Sequence, residues 1–288
     1  MFASFAPGHV GINVSLDEGL ALAERHGFGG FDAPLEVLTV TVERDGAEAV
    51  RAQFLDRGLR VGAWNLPFVP SAVGEEEWHA WLKQLPPLLA SAAAVGARRA
   101  CIWILPGSNE LEYADNFEHH TDRLRPVAHL LAEQGIRLGL EFIGPETLRR
   151  SFVHPFIHTP AGMLELGHAI GPNCGLLLDS WHWHCVGGTV ADLAHLRCGQ
   201  VVHVHVNDAP LGVPRDELAD LSRKLPGATG VIDLDGFMGA LADMGYDGPV
   251  TAEPFDKSLD ALPAEEAAAL TAKATRGAVA RAVRAYER

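Results

Sequence analysis

The sequence predicts an α/β protein of the (β/α)8 TIM-barrel class, formed as a single domain by residues 1–288. Short apolar runs alternate with amphipathic or alanine-rich stretches along the chain, and this alternation indicates a parallel sheet. There are eight such runs, which favours a closed barrel over an open doubly wound sheet. A GxGxxG turn, typical of dinucleotide-binding sheets, is absent after the first run. The predicted strands are residues 9–14, 30–35, 59–65, 99–105, 136–141, 174–179, 201–206 and 249–253.

Helix signals lie between the predicted strands. Gly27 is placed to end the first helix, and Pro86-Pro87 predicts a break in the helix of the third unit. The alanine-rich stretch from Pro263 to Arg288 predicts the helix that closes the ring. N-terminal caps are predicted at Ser15, Thr159, Thr189 and Asp233.

Composition limits the possible function classes. A chain of 288 residues that is 48% hydrophobic can bury one large core. Its formal net charge of −14 opposes phosphate backbones and anionic lipid surfaces, so neither a nucleic acid nor a membrane is expected as a partner. The first residues do not form a secretory signal, no apolar run is long enough to span a bilayer, and the four cysteines show no CxxC spacing. These features predict a cytoplasmic protein with reduced thiols.

Four potential metal ligands stand at or just beyond the ends of the last four predicted strands. Taken alone, Glu141 is equally well explained as a solvated acid, and Asp179 as the N-cap of a helix. Parallel strands of one barrel bring their carboxyl ends together, however, and three carboxylates with one imidazole suit a divalent cation. The predicted ligands are Glu141, Asp179, His205 and Glu253.

The seventh predicted strand offers two histidines on one face, His203 and His205. His205 lies nearer the carboxyl end and is therefore the predicted ligand, whereas His203 is expected to be a hydrogen-bonded core residue. Asp208 could orient the imidazole, contact a substrate or cap a loop. Trp64, at the end of the third predicted strand, could form one wall of a sugar-sized pocket or pack between strand and helix.

The segments LEF (140–142), LDSWH (178–182), HVHVND (203–208) and TAEPF (251–255) resemble those of the xylose-isomerase-like TIM-barrel superfamily, in its sugar phosphate isomerase/epimerase branch. The resemblance implies that the four predicted ligands hold one divalent ion, with Mn²⁺ expected and Mg²⁺, Co²⁺ or Zn²⁺ as alternatives. It also implies that His182 contacts a substrate oxygen. Glu146 lies near the position of a second, substrate-binding glutamate, and Arg215 loosely matches an arginine of other members. Habit in that superfamily implies a homo-dimer or homo-tetramer.

A divalent ion of this kind can chelate a carbonyl and its neighbouring hydroxyl and stabilise an enediolate. Glu141 and Glu253 would then act as catalytic residues, one removing a proton and the other returning it. The expected function is a metal-dependent epimerase or isomerase of a free ketose, keto-cyclitol or related polyol. An inosose-type dehydratase is the first alternative, and a non-catalytic partner subunit of a hetero-oligomeric enzyme is the second.

Phosphorylated and nucleic-acid substrates are less favoured. The loop 226–230 could bind a phosphate through its backbone amides, but no glycine-rich turn follows the eighth predicted strand. The third and fourth predicted strands end without the extra histidines that endonuclease members of the superfamily use. A free sugar or cyclitol is therefore the predicted small-molecule partner.

Overall fold

The computed structural model describes residues 1–285, with side chains described through residue 282. Its strands are β1 (Phe2–Phe5), β2 (Gly30–Phe31), β3 (Arg60–Val61), β4 (Trp64–Asn65), β5 (Arg99–Ile104), β6 (Gly107–Ser108), β7 (Arg137–Phe142), β8 (His154–Pro155), β9 (Cys174–Asp179), β10 (Val201–Val206) and β11 (Pro249–Ala252). The main sheet is entirely parallel and has the strand order β3-β2-β1-β11-β10-β9-β7-β5-β4. β6 and β8 form a separate antiparallel pair.

The sheet closes into a barrel at its third strand. β3 pairs with β2, and β4 pairs with β5, yet both belong to the single segment 60–65. The two ends of the sheet therefore meet in one stretch of chain, and the ring has eight strand positions. This confirms the predicted TIM-barrel class.

Helices surround the ring as the alternating pattern predicts. Ser15, Thr159, Thr189 and Asp233 cap helices as expected. The helices are α1 (Leu16–Arg25), α2 (Leu35–Asp45), α3 (Ala47–Asp56), α4 (Glu75–Val95), α5 (Tyr113–Glu133), α6 (Glu146–Arg149), α7 (Pro160–Ile170), α8 (Ser180–Cys185), α9 (Val190–Leu193), α10 (Leu234–Asp243), α11 (Lys257–Asp260) and α12 (Ala264–Ala285).

Two sequence-based expectations about elements are wrong. The first strand is β1, not residues 9–14, because Pro7 begins a 3-10 turn (Pro7–Val10) and Gly11 follows it with φ 71°. All four β1 residues are buried between β2 and β11. In addition, α4 runs unbroken through Pro86-Pro87. Its apolar face packs into the core on both sides of the prolines, and this packing offsets the missing backbone hydrogen bonds.

The main apolar core lies between the sheet and the helices, whereas the barrel interior contains both apolar and ionisable side chains. Ala63, Cys101 and Leu177 form a small separate cluster inside the ring. All four cysteines are free thiols. Within residues 1–285, no helix combines the length and apolarity needed to cross a bilayer.

Candidate metal centre

The four predicted ligands converge at the carboxyl end of the barrel. One ligand atom from each of Glu141, Asp179, His205 and Glu253 lies within 4.8 Å of those of the other three, and all four residues are buried. His205 Nδ1 lies 3.4 Å from Glu253 Oε2, 3.6 Å from Glu141 Oε1 and 4.0 Å from Asp179 Oδ2. This spacing is compatible with simultaneous contact of all four side chains with one cation.

Strand register brings these side chains to one level. His205 in β10 is aligned with Asp179 at the end of β9 and with Thr251 of β11. Glu253 is the first residue after β11, and its backbone N–H donates to Asn207 Oδ1 at 3.2 Å. Asn207 Nδ2 in turn donates to both Asp179 oxygens, at 2.9 and 3.2 Å. A buried amide therefore fixes two of the four ligands relative to each other.

Asp179 is the N-cap of a helix, as its sequence position suggests, and it also faces the centre. Its Oδ1 accepts a hydrogen bond from Trp181 N at 2.6 Å, which makes it the N-cap of α8. Its Oδ2 faces His205 and Arg223. The helix therefore holds one oxygen of the carboxylate in place while the other points into the centre.

Arg223 belongs to the centre, although the sequence reasoning missed it. Its Nη1 donates to Asp179 Oδ2 at 2.9 Å and to Glu253 Oε2 at 2.7 Å. Its Nη2 donates to Asp220 Oδ1 at 2.9 Å, and only 2% of the side chain is exposed. A buried cation paired with several carboxylates is a strong electrostatic element of the site.

The local charges separate the pKa values of the four residues. Burial, followed by the charge of Glu253, raises the pKa of Glu141 to about 7, although His205 opposes the rise. Burial also raises the pKa of Asp179, while Arg223 opposes it. For Glu253, burial is outweighed by the charges of His205, His9 and Arg223, which hold its pKa well below the ordinary value. Burial alone lowers the pKa of His205, yet the charges of Glu253 and Glu141 raise it well above its usual range.

Two atoms of the centre have no hydrogen-bond partner among the described residues. These are Glu141 Oε1 and His205 Nδ1, both buried and 3.6 Å apart. Buried polar atoms normally find a partner, so a pair that faces a shared space indicates a ligand. Three carboxylate oxygens and one imidazole nitrogen form a donor set that fits Mn²⁺, Mg²⁺, Co²⁺ or Zn²⁺.

A cavity of about 330 Å³ adjoins the centre at the ends of β1 to β4. His205 and His203 form its side toward the centre, and no lysine or arginine lines it within the described part of the chain. His9, in the 3-10 turn after β1, points its Nε2 toward Glu253 Oε1 at 3.6 Å. Other lining residues include Ile12, Asn13, Val14, Asp32, Glu36, Trp64, Asn65 and Leu66.

Two of the predicted substrate contacts lie near the centre. His182 is fully buried, with Nε2 3.9 Å from Glu141 Oε1. Its Nδ1 lies 3.1 Å from the donor Gly144 N, and its Nε2 lies 3.3 Å from the donor Arg223 Nη2. Burial, followed by the charge of Arg223, holds the pKa of His182 well below its usual value. Trp64 lines the cavity and donates from Nε1 to Ala97 O at 3.3 Å.

The other three predicted substrate contacts have different surroundings. Glu146 begins α6, outside the centre, and forms an ion pair with Arg150 at 2.6 Å. Arg215 lies exposed in a short 3-10 turn (Arg215–Glu217). Asp208 is wholly buried and accepts hydrogen bonds from the amides of Ala209 and of residues 229–232. Of the roles suggested for Asp208, the structure shows that of a loop cap, because both of its carboxylate oxygens accept hydrogen bonds from backbone amides.

His203 is buried inside the barrel as expected, but the expected hydrogen bond is not seen. Its Nδ1 has no partner among the described residues, and its Nε2 lies 3.6 Å from Asp32 Oδ2. Asp32 accepts hydrogen bonds from Ser4 Oγ, Thr251 Oγ1 and Ala63 N. This network lies beside the centre and fixes β1, β11 and the third strand position relative to one another.

A family model described as a xylose isomerase-like TIM barrel matches residues 20–276. Curated relatives include an inosose isomerase of Halalkalibacterium halodurans, which is 33% identical over 147 residues, or 50% of this chain and 48% of the relative. An inosose isomerase of Bacillus velezensis is 23% identical over 93% of this chain and 92% of the relative. The match to the first relative thus spans about half of its length.

Solved structures extend the similarity over nearly the whole chain. A xylose isomerase domain protein of Alicyclobacillus acidocaldarius is 32% identical, with a TM-score of 0.84 over 98% of this chain and 99% of that protein. The IolI protein, solved with a bound zinc atom, is 22% identical, with a TM-score of 0.81 over 98% of this chain and 99% of that protein. The second likeness concerns the fold alone.

Proposed function

This chain belongs to the xylose isomerase-like TIM-barrel family, and from that premise we propose that it is a divalent-metal-dependent epimerase or isomerase of a free ketose, keto-cyclitol or related polyol. The observation that carries the proposal is the buried centre of three carboxylates and one imidazole beside a cavity. Relatives named inosose isomerase support a cyclitol or sugar substrate. A lining without lysine or arginine, among the described residues, supports a substrate without a phosphate group.

The proposed ligands are Glu141, Asp179, His205 and Glu253, with Mn²⁺ as the expected ion. A bound divalent ion supplies a Lewis acid that stabilises negative charge on a substrate oxygen. Glu141 and Glu253 are the proposed catalytic groups, because they come from the first and last of the four ligand-bearing strands and could face opposite sides of a bound sugar.

Proton transfer between these groups and one substrate carbon would determine the outcome. Removal by one carboxylate and return by the other, on the opposite face, inverts the carbon and gives epimerisation. Return to the adjacent carbon gives isomerisation. His182 is proposed to contact a substrate oxygen, because it is buried 3.9 Å from Glu141, and Trp64 is proposed to form an apolar wall of the cavity.

Hydrogen–deuterium exchange tests the proposal directly. The Mn²⁺-loaded protein, incubated in D₂O with ketoses and inososes, is expected to introduce deuterium at one substrate carbon, detected by NMR. Glu141→Gln and Glu253→Gln are expected to lower the exchange rate by at least about 100-fold, in the range typical of general acid–base groups. Glu165→Gln, which changes an exposed glutamate of α7, is the matched control and should retain the exchange.

Full exchange in both site variants would refute the two-carboxylate scheme. Loss of water from the substrate would favour a dehydratase. A 3-dehydroshikimate dehydratase from Pseudomonas aeruginosa is 31% identical over 49% of this chain and 21% of that protein, which supports testing this alternative. The four free thiols support a reducing, cytoplasmic location. A homo-dimer or homo-tetramer remains the expected assembly, measurable by light scattering.

A further inference from the structure

Arg223 uses the same oxygen atoms that the proposed centre offers to a metal ion. Its Nη1 is hydrogen-bonded to Asp179 Oδ2 and Glu253 Oε2. Those two oxygens are also the ones that face His205 Nδ1, at 4.0 and 3.4 Å. The guanidinium and a divalent ion would therefore share two of the four ligand groups.

The position of Arg223 is fixed from several directions. Asp220 accepts from its Nη2 through Oδ1 and from its Nε through the backbone oxygen, each at 2.9 Å. Its Cζ lies 4.6 Å from the ring centroid of Phe255 and 5.5 Å from that of Trp181. The side chain is thus held against the carboxylates by an acidic partner and two aromatic rings, and it is not a surface cation that swings freely.

The backbone of Phe255, next to Arg223, has a strained conformation. Among the described residues, it is the one non-glycine residue with positive φ, at 40°. Such a conformation persists only where the surrounding structure enforces it, and it commonly marks a functional position. Here the strained residue follows Glu253 by two positions and places its ring beside the Arg223 guanidinium.

Charge balance gives the arrangement a physical consequence. When ionised, Glu141, Asp179 and Glu253 together carry three negative charges, which Arg223 and one divalent ion would neutralise. A carboxylate oxygen can accept a hydrogen bond and still coordinate an ion, because it has two lone pairs. An oxygen that already donates electron density to a guanidinium binds the ion less strongly, which leaves the ion more electrophilic.

We propose that Arg223 is a built-in cation of the centre that competes with the divalent ion for Asp179 and Glu253, and thereby limits how tightly the ion is held. It is a positioning residue, since it acts through the two carboxylates. The inference rests on the proposed metal-dependent function. If Arg223 only held the two carboxylates in place, its removal would disorder them and weaken metal binding. If it competes with the ion, its removal should strengthen metal binding.

Direct titration of Mn²⁺ against a fluorescent competing chelator tests the inference without using activity. Arg223→Met keeps an apolar stem beside Phe255 but removes the charge, and it is expected to bind Mn²⁺ about tenfold more tightly than wild type (about 1.4 kcal/mol). Arg223→Lys keeps a positive charge but lacks the several donors with which the guanidinium contacts Asp220, Asp179 and Glu253 at once. A smaller increase in Mn²⁺ affinity, of about threefold, is expected. Arg125→Met, on the exposed face of α5, controls for net charge and should match wild type.

The thermal shift on adding Mn²⁺ gives a second readout, since tighter binding stabilises the folded state more. The shift should therefore be larger in Arg223→Met than in wild type. Equal or weaker Mn²⁺ binding in both Arg223 variants, with wild type binding normally, would overturn the competition while leaving the metal centre intact. If Arg223→Met does not fold, the Mn²⁺ affinity of Arg223→Lys decides: tighter binding than wild type supports the competition, and equal or weaker binding overturns it. Absence of Mn²⁺ binding by wild type and both variants would overturn the inference together with the proposed function.

Discussion

Binding of a divalent ion to this centre is expected to release protons, in a number that depends on pH. Before the ion binds, burial raises the pKa of Glu141 to about 7. The pKa of His205 is lowered by burial but raised well above its ordinary value by the charges of Glu253 and Glu141. Both groups must lose their protons to act as ligands. Because a raised pKa means that the proton is held to higher pH, the apparent affinity for the ion should rise as the pH rises.

The size of the effect follows from these two groups. Glu141, with a pKa of about 7, is mostly protonated at about pH 6 and mostly ionised at about pH 8. It should therefore contribute about one released proton per ion at the lower pH and almost none at the higher pH, and His205 adds to the release wherever it still holds its proton. The apparent affinity should rise with pH more steeply below about pH 7 than above it.

Proton release can be counted in weakly buffered protein solution while Mn²⁺ is added, and the affinity can be measured in parallel with a competing chelator. Glu141→Gln is the matched variant, because it removes one of the two titrating groups and keeps a side chain of the same shape. The number of protons that it releases near pH 6 should be lower than in wild type by about one. An unchanged count in this variant, or release of no protons by wild type near pH 6, would show that the charge pattern described for the centre is wrong.

Three further changes test the packing around the centre. A Cβ at Gly144 would lie 2.4 Å from the backbone oxygen of His182, so Gly144→Ala should lower the free energy of unfolding by about 1–3 kcal/mol in a denaturant titration, whereas Gly199→Ala, with open space around it, should be neutral. Asp208→Asn should lower the free energy of unfolding by about 1–3 kcal/mol, because it weakens the hydrogen bonds that cap the loop. It should leave the KM of any active substrate unchanged. A raised KM would show that Asp208 contacts the substrate. Leu140→Ala, at a fully buried position of β7, should cost about 2–5 kcal/mol by thermal or chemical denaturation, and a smaller cost would indicate that the barrel wall relaxes around the gap.

The last four barrel strands and the convergence of the four candidate ligands at their ends were predictable because each signal is local. A short apolar run ends in a ligand-type residue at Glu141, Asp179 and Glu253, and the closed parallel sheet then supplies the long-range geometry. The first strand was not predictable in the same way. β1 is only four residues long, all of them buried, so it shows no alternation that would distinguish it from a loop.

Arg223 could not be identified for a different reason. Its partners Asp179 and Glu253 lie 44 and 30 residues away in the sequence, and its own neighbourhood is a polar loop. The sequence around Arg223 does not show whether its side chain is buried or exposed to solvent, because only the folded loop brings this side chain to the mouth of the barrel. His9 was likewise hidden, since its position beside Glu253 depends on the turn after β1.

The cavity and the candidate ligands draw on different parts of the barrel. The cavity is lined mainly by residues that follow β1 and β2 and by residues 63–67, whereas Glu141 and Asp179 lie at the ends of β7 and β9, and His205 of β10 borders both. Sequence changes in the loops after β1 and β2 could therefore alter which molecules fit, while the groups on β7 and β9 stay in place.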